Sequence, residues 1–218
     1  MQQLPPGAEG IVVAPTLSAA NALLRDALAG RDAAFGWHRL TLGQLAAQLG
    51  LPQLAAQGRA PASPLAMEAL AARVVFELAQ AEQLGRFQPV AHRPGLPRAL
   101  VRTLRELEQA EVSLDSLPAD AADLRVVGHA LRRACAEYGV ATRAELLAAA
   151  CARVAEGTHP LLRLPVLCLD VPLRSPLEAR LLATLLKANE ASLALLPTGD
   201  TATRKALATE GLPPDQPL

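Results

Sequence analysis

The chain has 218 residues, of which 51% are hydrophobic and only 2% aromatic, and its 21 Lys and Arg balance 21 Asp and Glu. That length holds one domain or two small ones with a proper core, and the apolar content excludes disorder over most of the chain. Zero net charge removes the whole-domain basic footprint of a phosphate binder, and five aromatics (Phe35, Trp37, Phe76, Phe87, Tyr138) exclude repeated base-stacking platforms.

Three cysteines, Cys135, Cys151 and Cys168, form no C-x-x-C pair and read as buried thiols of a reducing compartment. Met1 to Gly10 lacks the basic and apolar regions of a signal peptide. No stretch reaches the run of about 18 apolar residues that crosses a membrane. The expected location is cytoplasmic, with no membrane contact.

In chain order, Ile11-Val12-Val13-Ala14 is a short buried strand stopped by Pro15. Leu17, Ala20, Leu23, Leu24, Ala27 and Leu28 then recur at helical spacing until Gly30. His38-Arg39-Leu40 reads as a second strand, and Thr41-Leu42-Gly43-Gln44 is a capping box opening a helix through Leu45 and Leu49. Leu51 to Pro64 is rich in Gly, Pro and Gln, and beyond it no strand candidate interrupts a long helical stretch. Ser63-Pro64 supplies an N-cap and an N1 proline for Met67, Leu70, Val74 and Leu78. Pro94 to Pro97 starts a helix striped by Leu100, Leu104 and Leu107. Leu124, Val127, Leu131, Cys135 and Tyr138 stripe the next, and Thr142 to Glu145 is a second capping box, for a helix through Val154.

Strand signals return at Pro165 to Asp170, and Ser175-Pro176-Leu177-Glu178 caps a helix through about Ala188. Ala191 to Leu196 is the fourth strand, Pro197 to Asp200 turns into a weak last helix, and the tail from Gly211 is Pro-rich. The alternation at both ends predicts an α/β fold: a parallel-sheet core of residues 1–50 and 160–218, split by an all-helical insertion at 51–159. The Pro-rich end brings no closing element, so the 218 residues are expected to open a longer protein.

The phosphate loop G-x-x-x-x-G-K-[ST] is missing, since no Gly is followed by Lys. Lys187 and Lys205 have no glycine loop before them. His38, His92, His129 and His159 are scattered, and no G-x-S-x-G elbow is present. No catalytic residue, metal or cofactor is expected in this segment. A small α/β enzyme acting on a phosphorylated metabolite would also need a glycine-rich strand-to-helix loop, which the sequence lacks.

Three runs carry a family resemblance. Val12 through Leu23 resembles motif Ia of the superfamily 1 helicases related to UvrD, a strand followed by Thr and a double Ala. Arg39 to Leu45 is similar to their motif Ib. Leu167-Cys168-Leu169-Asp170, then Ser175 to Glu178 and Leu181-Leu182, resembles the Walker B strand and the helix after it. The resemblance implies a P-loop-NTPase-like helicase 1A core carrying its helical 1B insertion. The Walker A loop before Val12 is missing, and the Glu expected after Asp170 is Val171. This combination resembles the N-terminal region of AddB-type subunits of helicase–nucleases, whose pattern includes a Pro-Gly start to an Arg-rich helix, here Pro94-Gly95 through Arg105.

The resemblance implies a decayed ATPase in DNA double-strand-break repair, with Asp170 as a vestigial Walker B acid and a PD-(D/E)XK exodeoxyribonuclease domain far downstream. It also implies an AddA-like helicase motor as partner. Motif Ia and Ib contacts to single-stranded DNA carry over to Thr16, Ser18, Thr41 and Gln44. Each has a plain alternative, because a Thr–Gln box caps a helix with no partner present. Arg98, Arg102 and Arg105 fall at i, i+4 and i+7 and could track phosphates, or form a solvated face. Between Arg86 and Arg133 eight Arg meet six acids, an excess of only two. The competing reading is a protein-interaction module of the same fold that never touches nucleic acid.

Overall fold

The computed structural model describes residues 9–27, 29, 36–197 and 199–212. In chain order its elements are β1 (Gly10–Val13), α1 (Leu17–Ala27), β2 (Trp37–Leu40), α2 (Leu42–Ala56), β3 (Ala60–Pro61), α3 (Pro64–Gln80) and α4 (Gly95–Gln109). There follow α5 (Ala122–Glu137), β4 (Val140–Ala141), α6 (Arg143–Glu156), β5 (Val166–Leu169), α7 (Pro176–Ala188), β6 (Leu193–Leu195) and α8 (Thr201–Thr209). Short 3-10 turns fill the connections. The end of the first predicted helix, at Leu28 and Gly30, lies outside the described residues, as do Met1 to Ala8 and the tail from Pro213.

The chain divides into two compact units, Met1–Gly50 with Leu147–Leu218, and Leu51–Leu146. The first boundary falls inside α2 and the second inside α6, whereas the composition of the sequence set the second after residue 159. The fold is α/β, and no helix among the described residues is long and apolar enough to cross a membrane.

In the first unit, four strands form a parallel sheet in the order β2-β1-β5-β6. Ile11, Val12 and Val13 are all buried, as expected for a central parallel strand covered on both faces. From β1 the chain crosses through α1 outward to β2, and from β5 through α7 outward to β6. Right-handed crossovers in opposite directions put α1 and α7 on opposite faces of the sheet. Val12 and Ala14 pack with Ala20, Leu23, Leu24 and Trp37 on the α1 side. The other half of that face is open, with Leu193 and Leu195 exposed on β6. The α7 cap forms as the sequence indicates, the Ser175 hydroxyl accepting from the Glu178 N–H at 3.3 Å.

The second unit buries the faces of α3, α4 and α5 around Val74, Leu78, Leu84, Leu104, Leu114 and Leu131. Three expectations change here. The helical stretch is interrupted by a two-residue parallel pair, Ala60–Pro61 against Val140–Ala141. Such a pair is too short to leave a period-2 pattern in the sequence. Helix α2 runs through Pro52 to Ala56, past the expected end of the pattern, with Leu54 buried; burial of its apolar positions outweighs the proline penalty. Tyr138, counted with the α5 stripe, is exposed at the C-cap, where its ring lies under the Arg73 guanidinium at 5.2 Å.

Candidate nucleic-acid interface

Because the two crossovers of the first unit diverge from β1 and β5, a crevice opens at the carboxyl ends of these two neighbouring strands. In open α/β sheets this switch point is where ligands bind. Val13 is level with Leu40 on one side and Cys168 on the other. The segments starting at Ala14, Thr41 and Leu169 therefore leave the same sheet edge. This brings Thr16, Ser18, Thr41, Gln44 and Asp170 to one edge of one unit.

Hydrogen bonding distinguishes these side chains. Thr16 Oγ1 accepts the Ala19 N–H at 3.1 Å and caps α1, which leaves the hydroxyl hydrogen to donate. Ser18 is exposed on the first turn of α1. Thr41 and Gln44 complete the capping box: Thr41 Oγ1 accepts the Gln44 N–H at 3.2 Å, while Gln44 Oε1 accepts the Thr41 N–H at 2.9 Å and the Thr41 hydroxyl at 3.2 Å. Both hydrogen-bonding functions of the Thr41 hydroxyl are thus used, but the Gln44 amide keeps its two N–H donors. Capping consumes oxygen acceptors and spares donors, and donors are what a phosphate oxygen needs.

Asp170 sits just past β5 in the left-handed region at φ 46°, a conformation Asp tolerates in turns. Its N–H donates to Leu195 O at 2.9 Å, so the residue ties β5 to β6 while its exposed carboxylate faces solvent. Four residues on, Arg174 is exposed in the same loop. Its backbone N–H donates to Glu178 Oε2 at 2.9 Å, which fixes the loop against the start of α7. No carboxylate pairs with its guanidinium among the described residues. The sequence reading passed over Arg174. The signal available for it was position, a cation between a strand end and the N-cap of the next helix.

In the second unit, Arg98, Arg102 and Arg105 do share the exposed side of α4. Two of the three already hold carboxylates. Arg98 forks onto Glu68 at 3.2 and 3.3 Å, and Arg102 lies 3.6 Å from Glu106. Arg105 has no such partner among the described residues. A separate polar cluster joins Arg59 to Glu145 at 2.7 Å and to Val140 O at 2.9 Å. The Glu145 carboxylate also closes the Thr142 box at 2.7 Å. Next to it, burial raises the Glu108 carboxyl above its ordinary value, an effect partly offset by the Thr142 hydroxyl and by Arg132 at 3.7 Å. Burial also pushes up the Cys135 thiol, with the Glu145 and Glu108 charges adding to it. The groups of this cluster are spent on one another around β4 and the start of α6, and Cys135 is held as a thiol, so it is a structural network.

No protein-family model matches the chain, and no curated protein matches it.

Proposed function

We propose that the chain is a non-catalytic, helicase-like scaffold of an AddB-type helicase–nuclease acting in DNA repair in the cytoplasm, with a P-loop-like 1A core that guides single-stranded DNA and a surface that docks a motor subunit. The observation that carries this reading is the sheet switch point between β1 and β5. Spare donors on Thr16, Ser18 and Gln44 and the Arg174 cation line its edge, and the sequence has no Gly-Lys loop to hold a nucleotide. The DNA backbone crosses the carboxyl edge, with Arg174 as its main cation and the three donors on phosphate oxygens. Thr41 acts only as a cap. The three arginines of α4 contribute less than their spacing suggests, because a phosphate must displace Glu68 and Glu106 to reach two of them. With so few neutralised phosphates, binding is weak and salt-sensitive. The same ion pairs favour the second reading, a protein-interaction module without nucleic acid.

The test is a titration of labelled dT20 against the whole chain at low and moderate salt. Salt-sensitive binding is expected. Arg174→Ala should weaken it about five-fold or more, and the Thr16→Val, Ser18→Ala, Gln44→Ala triple variant further still. A smaller loss is expected for the Arg98→Ala, Arg102→Ala, Arg105→Ala variant. Absence of salt-sensitive binding removes the DNA half of the reading and leaves the interaction module.

A further inference from the structure

Helix α3 is apolar on two faces. Ala71, Val74, Val75 and Leu78 are buried in the core of the second unit. On the opposite side Leu65, Ala69, Ala72 and Phe76 follow one another at intervals of four, three and four, and all are exposed. Leu65 and Phe76 are 77% and 64% exposed, the largest values among the described large hydrophobics. Such spacing is the seam of a helix pair, in which each side chain enters a hole of the facing helix. Two small residues between two large ones let a facing helix approach closely at the middle of the seam.

What flanks the seam decides the partner. Arg98 on α4 bonds Glu68 on α3, so the solvent side of α4 runs beside the seam. Arg102 and Arg105 extend that basic row along successive turns. We propose that this face of α3 and α4 docks an amphipathic helix of a partner protein whose apolar stripe is bordered by a row of acidic residues. The proposal deepens the docking half of the proposed function and rests on it for the idea of a protein partner. A second copy is disfavoured, because a two-fold antiparallel pairing through α3 sets one basic row against the other. Single-stranded DNA is disfavoured because only Phe76 among the four seam residues has a ring on which a base can stack.

The probe is a labelled 20-residue helical peptide with Leu at the same intervals and Glu along one flank, titrated into the whole chain by fluorescence anisotropy. Its counterpart carries Lys in place of Glu. The acidic peptide should bind, about ten-fold more weakly to Leu65→Ser, Phe76→Ser protein. The Lys peptide should bind several-fold more weakly than the acidic one. Should the serine variant lose its helical circular dichroism, Ala69→Glu, Ala72→Glu, at exposed positions and with a good helix former, replaces it with the same expected loss. Equal binding of the two peptides, or binding unchanged by either variant, overturns the proposal. So does a dimer in sedimentation that the seam substitutions dissociate, or dT20 binding that they abolish. Arg174-dependent dT20 binding without peptide binding refutes this surface and leaves the sheet-edge reading. Peptide binding without dT20 binding does the reverse.

Discussion

Glu108 shows how a single side chain records its surroundings. Burial raises its carboxyl above the ordinary value of 4.5, and the Thr142 hydroxyl and Arg132 offset only part of that effect. A carboxyl that holds its proton more tightly folded than unfolded makes folding less favourable wherever it is ionised. Stability is therefore gained as pH falls through the raised value toward 4.5 and is lost as pH rises. Glu108→Gln keeps the shape and removes the charge. Its thermal midpoint at pH 7 should exceed that of the wild-type protein, with the difference closing as pH approaches 4.5; a lower midpoint at pH 7 would mean that the Arg132 pairing outweighs burial. The cysteines follow the same rule. Burial alone pushes the Cys168 thiol up to about 12, so it is inert as a nucleophile, in line with the buried thiol expected from its apolar run. Glu108 itself was not legible as special, because its burial depends on α5 and β4, elements distant in sequence.

At the scale of elements, local chemistry was the most readable part. The Thr41 and Thr142 boxes and the Ser63 and Ser175 caps form where the sequence places them, since each involves groups within three residues of one another. Contacts between distant segments were not readable, and the β3–β4 pair is the clearest case. It needs Gly139 at φ 61°, where a Cβ would come 2.8 Å from the Gly58 carbonyl oxygen. Gly58 is also left-handed, at φ 68°, but a Cβ there meets nothing within 4 Å. Gly139→Ala should therefore cost about 2 kcal/mol or more, from left-handed strain plus the clash, and Gly58→Ala only about 1 kcal/mol, from strain alone. Urea midpoints of the two variants measure the contrast. Equal losses would show that Gly58 moves aside freely.

The molecule as a whole presents a parallel α/β sheet whose switch point carries donors and a cation but no glycine-rich phosphate cradle. In a P-loop the backbone amides wrap the phosphates, and a lysine and a hydroxyl serve the charge and the magnesium. Here α1 begins at Thr16 and Leu17 directly after Pro15, with a proline where such a loop would need free amides. Calorimetric titration with MgATP should give no binding heat. Measurable binding would restore a nucleotide site and overturn the reading of a decayed ATPase.

The sequence by itself determined the α/β class, the strand-to-helix junctions, the caps and the absence of a Gly-Lys loop, because each is written in residues close together along the chain. Only the tertiary structure decided which strands are central, which edge receives Thr16, Gln44 and Arg174, and which arginines of α4 are already held by Glu68 and Glu106. It also decided that Leu65 and Phe76 face solvent, where the periodicity of α3 allowed either apolar face to be the core. Strand order, ion pairing and burial depend on segments tens of residues apart, and helical periodicity describes the faces of an element without saying which of them meets a neighbour.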